Sequence, residues 1–271
     1  IGSCWNHHPS PPPETRMATI NMRVALLGDV HANLPALEAV LVHAKNLGAT
    51  EYWNIGDFVG YNAFPDQVVR RMRMRGFSNI IGNYDLKVLS FPKKDMKWRK
   101  NKHPLKRQAF KWAYENLSTT SKAYLAALPG ELYKVVGDRK FLLVHGSPAS
   151  NEELLDKATP QARLGELKDL AEQKYQTNFA AIICGHSHQA FTRRVNHTLF
   201  INTGSVGRPG DGNPRTAYSI LDISGENLQV SHYRLDYDLG RVIAANREAG
   251  LPEAFTDMIL EGRDLDWVLG S

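Results

Sequence analysis

The sequence predicts a mixed α+β (α/β) fold on three observations. Its first half alternates short strand-forming runs with helical stretches, its second half is rich in β-type segments, and its 271 residues suit one large domain. RVALLGDV (23–30) is apolar, rich in strand formers and ends in Gly-Asp. NLPALEAVLVHAKNLG (33–48) carries apolar residues at helical spacing, with Asn33 as cap, Pro35 in the first turn and Gly48 as stop. EYWNIGDFVG (51–60) repeats the strand ending in Gly-Asp, PDQVVRRMRMRG (65–76) is a second amphipathic stretch, and FSNIIGNYD (77–85) follows. This rhythm predicts parallel βαβ units. Residues 91–130 are basic, then helical, with a break at Pro104 and an exit at Pro129-Gly130, and read as an insertion of two or three helices. ELYKVV (131–136) and KFLLVHGSP (140–148) read as a hairpin about Gly-Asp. A helix near 160–174 leads to the strand FAAIICG (179–185); QAFTRRV, HTLFINTG, TAYSILDI and NLQVSHYRLDY are β-type, and the chain from about 239 is helical.

Hydrophobic residues at 42% and charged residues at 23% give the balance of an ordinary soluble globule. A net charge of +5 and a pI of about 9.1 favour anionic partners. The two cysteines, Cys4 and Cys184, are too few for a disulfide framework and point to a reducing cytoplasm. No apolar run approaches the roughly 18–20 residues that span a bilayer, so no membrane partner is expected. The opening IGSCWNHHPSPPPETRMATINM lacks the apolar centre of a secretory signal and predicts a disordered tail over 1–21, before a single domain over 22–271. Met17 and Met22 are candidate starts, and His7 and His8 read as solvated. Cys184 reads as an inert buried thiol, and Trp53, Trp112 and Trp267 as core.

The strand ends carry the chemistry. Asp29 and His31, Asp57, Asn83, His145, and then His186 and His188 each follow a predicted strand. Open α/β sheets bind ligands at the carboxyl ends of their strands, so these seven side chains predict one shared site. In extended backbone residues i and i+2 face the same way, which lets Asp29 and His31 converge, and likewise His186 and His188. Seven O and N ligands exceed the needs of one tetrahedral ion and suit two ions sharing a carboxylate, roughly 3.5–4 Å apart in hydrolytic sites. Lacking thiolate, the set suits two divalent ions drawn from Mn, Fe, Zn or Ni.

The ordered motifs GDVHAN, GDFVG, GNYD, VHG and GHSH, with NTGSVGRP (202–209), resemble those of the calcineurin-like metallophosphoesterase superfamily, in its small bacterial phosphodiesterase and bis(nucleosyl)tetraphosphatase-like branch. The resemblance implies a four-layer αββα sandwich of two mixed β-sheets flanked by helices. It implies that Asp29, His31 and His188 hold one ion, that Asn83, His145 and His186 hold the other, and that Asp57 bridges them. It further implies that a water shared by the ions loses a proton and attacks phosphorus in line.

One position departs from the family pattern. Where most members carry a proton-donating His after the Asn, this chain has Tyr84, a poor proton donor able to hydrogen-bond a phosphate oxygen or merely to pack. Asp85, which in the family orients that His, is left to bond Tyr84 or to cap the next helix. Asn33 and Arg208 are further catalytic candidates, Arg208 as a phosphate clamp in competition with Arg193, Arg194 and Arg215, and Ser147 and Ser205 lie in the same loops.

Residues 93–111 carry nine Lys or Arg plus His103, and Arg70, Arg71, Arg73 and Arg75 form a second basic cluster. The simpler reading is a solvated helix face; the sharper one is a basic lid steering a nucleotide or, less favoured, nucleic acid. The expected function is hydrolysis of phosphodiester or nucleotide-type phosphate esters. The alternatives are a phosphomonoesterase, including a protein Ser/Thr phosphatase, and a catalytically weak metal-binding scaffold.

Overall fold

Apolar runs without alternation mark strands buried on both faces, and the first of them sets the architecture. In β1 (Asn21–Leu27), Val24 and Leu26 point to one side and Ala25 and Leu27 to the other, all fully buried. The computed structural model describes residues 21–74, 76–225 and 227–270. The expected tail with Cys4, His7 and His8 lies outside these residues, except that Asn21 already belongs to β1; Arg75 lies outside them too.

After β1 come α1 (Leu34–Asn46), β2 (Glu51–Asn54), α2 (Pro65–Met72) and β3 (Phe77–Asn79). Four helices follow: α3 (Asn83–Leu89), α4 (Phe91–Asn101), α5 (Pro104–Glu115) and α6 (Thr119–Ala126). The last three are the expected insertion, and α3 is a helix that the strand-like look of FSNIIGNYD concealed. β4 (Glu131–Val136) and β5 (Arg139–Val144) form the expected hairpin, with Val136 opposite Arg139. Then come α7 (Gln161–Tyr175), β6 (Ala181–Cys184), β7 (Phe191–Val195), β8 (Thr198–Asn202), β9 (Thr216–Ser224) and β10 (Asn227–Leu235). α8 (Leu239–Glu248), α9 (Glu253–Glu261) and α10 (Leu265–Val268) close the chain.

Two five-stranded mixed sheets result, ordered β10-β9-β1-β2-β3 and β4-β5-β6-β8-β7. β1, β2 and β3 run parallel in the first, as do β5, β6 and β8 in the second, while β9, β10, β4 and β7 are antiparallel to their neighbours. One apolar cluster joins Val24, Leu26 and Trp53 to Phe141, Ile183 and Ile201, so the sheets pack face to face. A second sets Ala25, Leu27 and Ile220 against α1 and α2, and a third sets Val144, Ile182 and Phe200 against Leu164 and Leu167 of α7. The order of layers is therefore helix, sheet, sheet, helix, as the resemblance implied.

The insertion turns Phe91, Trp98, Ala109 and Phe110 inward, while Lys93, Lys94, Lys97, Arg99 and Lys100 are exposed, which is the geometry of a solvated face on α4. Arg99 and Arg107 pair with Asp95, and Lys106 pairs with Asp266. Arg70, Arg71 and Arg73 are exposed as well. Trp53 and Cys184 are fully buried and Trp112 is half-buried, but Trp267 is 60% exposed and so is not core. Its ring stacks instead beneath the Arg263 guanidinium, 4.5 Å away, an arrangement that needs no burial. No helix among the described residues is long and apolar enough to cross a membrane.

Candidate metal centre

The carboxyl ends of β1, β2 and β3 in one sheet meet those of β5 and β6 in the other, and the loops that leave them, with the first residue of α3, carry all seven predicted ligand side chains. These loops are backbone-strained. Asp29, His31, Asp57, His186 and His188 all have positive φ, between 46° and 63°, where residues other than glycine are uncommon and which clusters at functional sites. Bonds between loops hold them there: Asp29 N–H donates to Gly56 O and His31 N–H to Asp57 O, both at 3.0 Å, and Gly185 N–H donates to His145 O at 2.8 Å. Two glycines admit the crowding, since a Cβ at Gly82 would overlap Asp57 and one at Gly185 would overlap Ile55 and come within 2.6 Å of Asp29 Oδ2.

The side chains fall into two groups, Asp29 with His31 and His188, and Asp57 with His145 and His186, each with its donor atoms within 4.8 Å of one another. Asp57 spans them, with Oδ2 3.6 Å from His31 Nε2 and Oδ1 3.5 Å from His145 Nε2. Asn83 Oδ1 lies 3.3 Å from His145 Nε2, and the His31 and His188 Nε2 atoms are 3.2 Å apart. Backbone carbonyls orient three of the rings: His145 Nδ1 bonds Ile55 O at 2.8 Å, His188 Nδ1 bonds Arg208 O at 2.6 Å and His31 Nδ1 bonds Val59 O at 3.4 Å. That leaves Nε2 of each facing the centre.

Burial alone would raise the pKa of Asp57, but His145, His31 and the Tyr84 amide hold it below the usual carboxylate range. Asp29 is lowered in the same way, against its burial, chiefly by His188. Burial pushes His31 down to about 3, so its imidazole is neutral, as a ligand must be. His145 is the counterweight: burial opposes its charge, yet Asp57 and Asp29 raise it to about 9. Asp29 Oδ1 and Asp57 Oδ2 are enclosed and find no hydrogen-bond donor among the described residues. Buried carboxylate oxygens without donors, beside inward-facing imidazole nitrogens, fit divalent cations.

A model of the calcineurin-like phosphoesterase superfamily domain matches residues 22–226. The chain belongs to this superfamily. Its sequence is 26% identical over 260 residues to an uncharacterized protein of Methanocaldococcus jannaschii, covering 90% of this chain and 100% of that one. The crystal structure of a metallophosphoesterase from Sphaerobacter thermophilus is similar at 28% identity and a TM-score of 0.72, over 90% of this chain and 100% of the other. A hypothetical protein from Pyrococcus horikoshii, at 19% identity, shares the fold with a TM-score of 0.79 over 89% of this chain and 98% of its own. Membership of a calcineurin-like phosphoesterase superfamily and two candidate ligand groups together support divalent metal binding.

The remaining predicted residues of this superfamily member take distinct places. The Tyr84 hydroxyl lies 2.6 Å from that of Tyr61, and burial together with Tyr61 raises its pKa well above the ordinary phenol value. Of the two roles open to Asp85 the structure adopts the cap: its carboxylate accepts from Gly82 N–H at 3.0 Å, at the start of α3, and from Val59 N–H at 3.2 Å. Burial and then the Asp57 charge push Asp85 up to about 8. Asn33 caps α1 through Ala36 N–H and spends its own N–H groups on Gly207 O and Tyr237 Oη, each at 3.2 Å. Ser147 bonds Glu153, and Ser205 donates to Asp29 O at 2.8 Å.

Among the arginines, Arg193 bonds Thr159 O and Gln161, Arg194 reaches His197 O, and Arg215 bonds Asn213. Arg208 alone of the four contacts the site, its guanidinium lying 5.8 Å from the Tyr84 ring centre. Two residues escaped the sequence reading. Tyr61 follows the GDFVG motif with nothing in its spacing to flag it, and Glu152 pairs with Lys87 at 2.8 Å beside Asn83 and His186.

Proposed function

We propose that Asp29, His31 and His188 hold one divalent cation, that Asn83, His145 and His186 hold a second, and that Asp57 joins them in a hydrolase acting on phosphodiester or nucleotide-type phosphate esters. The position of Asp57 between the groups, with an enclosed Oδ2 that lacks a donor, is the observation that carries this reading. When bound, such a pair acidifies water to a nucleophile and offsets charge on phosphate oxygens. The chain supplies the rest. His145 and His188 are aimed by backbone carbonyls, Asp85 locks the start of α3 to the Val59 loop, and Arg208 offers N–H groups to a phosphate oxygen. Tyr84 offers a hydroxyl in place of an imidazole. We read residues 22–271 as one domain and place it in the cytoplasm on its cysteine usage.

Chelated protein resupplied with Mn, Ni, Co or Zn and assayed on bis-p-nitrophenyl phosphate and p-nitrophenyl phosphate tests the reading, together with elemental analysis. Two equivalents of metal and the faster rate on the diester are expected. A ratio favouring the monoester would install the phosphomonoesterase reading. Little bound metal and no turnover of either ester would leave a scaffold.

A further inference from the structure

We propose that Tyr61 is a positioning residue for Arg208, and that α8 and α9, beyond the residues matched by the family model, complete the substrate site by fixing this pair to receive a phosphate oxygen that the cations do not. The inference deepens the proposed function and rests on its placing phosphate at the centre.

The backbone of Arg208 is referenced to the candidate ligands. Its carbonyl accepts from His188 Nδ1 at 2.6 Å, and its N–H donates at 2.9 Å to Ser205 Oγ, whose own hydrogen goes to Asp29 O. Its guanidinium lies 4.5 Å from the Tyr61 ring centre, and its Nε is enclosed without a hydrogen-bond partner among the described residues. A guanidinium stacked on an aromatic face keeps its N–H edge free for an oxyanion, and an enclosed donor without a partner calls for one. The phenol pair adds a further donor. Two hydroxyls 2.6 Å apart hold two hydrogens, of which one makes their mutual bond and the other stays free for substrate.

Tyr61 does not hold this place unaided. It is 2% exposed with φ +67°, a conformation an aromatic residue keeps only when its surroundings enforce it. The surroundings come from the C-terminal helices. Phe255 of α9 meets its ring edge-on at 5.1 Å. Asn246 of α8 donates to Asn62 Oδ1 at 3.0 Å, and Asn62 donates to His31 O at 2.8 Å, on either side of which sit the candidate ligand and the strained loop. The loop after Arg208 is tied by Gly212 N–H to Gly262 O at 2.8 Å, just beyond α9.

The test is a double-mutant cycle of Tyr61→Leu with Arg208→Ala in the metal-loaded full chain. It reads kcat and KM on bis-p-nitrophenyl phosphate, the rise in Tm caused by inorganic phosphate, and bound metal. Tyr61→Leu is expected to raise KM and weaken phosphate binding by about tenfold, the scale of one hydrogen bond to a charged group, with bound metal retained. In the Arg208→Ala background it should add nothing, because its effect passes through the guanidinium. Tyr61→Phe, which keeps the ring, should recover most of the phosphate affinity. Phe255→Leu should weaken phosphate in the same Arg208-dependent way, and it carries the cycle if Tyr61→Leu fails to fold. Effects that simply add would overturn the inference while leaving hydrolysis, and so the proposed function, intact. Phosphate binding that depends on both residues in a chain that hydrolyses neither ester would support the inference and sink the function.

Discussion

The backbone N–H of Tyr84 donates to Asp57 Oδ1 at 2.8 Å, which fastens the first turn of α3 to the carboxylate lying between His31 and His145. Asn83 precedes Tyr84, so the same bond sets where its carboxamide points. Asp57→Asn keeps an acceptor for that N–H and removes the charge. We expect hydrolysis to fall by more than the roughly 10–100-fold that losing an outer partner costs a metal site. Added Mn should raise the Tm of the parent protein and leave that of the variant unmoved. Equal metal uptake by the two proteins would show that Asp57 does not join the groups.

The centre is also predicted to be intolerant of volume. An added Cβ at Gly185 meets Ile55 and Asp29, whereas one at Gly130 meets nothing within 4 Å. Gly185→Ala should therefore destabilise the chelated protein by about 1–3 kcal/mol in urea unfolding and weaken metal uptake, with Gly130→Ala as a near-neutral control. A Gly185→Ala protein as stable as the control would mean that β6 can retreat from β2 at little cost.

What the sequence disclosed follows from where its constraints are local. A segment buried on both faces must be apolar, as are VALL of β1, FLLV of β5 and AIIC of β6, and a ligand that follows it must stand at its end, so these strands and the side chains that follow them are legible in order. The helix α3 was not, because its N-terminal turn is held by Asp85 and Asp57 rather than by an apolar repeat of its own. Tyr61 and Arg208 meet across 147 positions of chain, and the helix that braces Tyr61 comes later still, so no short pattern could announce their contact, although Arg208 itself was legible as a candidate clamp. Asn33 could be read as cap or catalyst from its neighbours alone; only the packed loops show its amide hydrogens spent on Gly207 and Tyr237.

Tyr84 holds its proton tightly, since burial and Tyr61 both raise its pKa, so the leaving oxygen of an alkyl ester gains little from it. Tyr84→His should raise turnover on alkyl phosphodiesters by about tenfold or more and change p-nitrophenyl esters far less, because an imidazolium matters most to the poorest leaving group. A steeper dependence on leaving-group pKa in the parent than in the variant is the signature. Unchanged alkyl-ester turnover would assign Tyr84 to packing and phosphate contact alone.

Acid stability should depend on a group far from the centre. The Glu172 carboxylate of α7 accepts from Lys168 Nζ at 2.9 Å and bonds His197 Nε2 at 2.7 Å, with 14% of its side chain exposed. Burial would raise its pKa, but Lys168, His197 and the Phe179 amide outweigh burial and lower it. A carboxylate with a depressed folded-state pKa stabilises fully above its unfolded value of about 4.3 and loses that contribution as pH falls through the folded value. Glu172→Gln removes the contribution. The variant should be less stable than the parent by roughly 1 kcal/mol at neutral pH, and the gap should close as pH falls below the unfolded value of about 4.3 and through the lower folded one. Urea unfolding of both proteins across that range checks the sign, and a gap that stayed constant would mean that the side chain acts through shape and not charge.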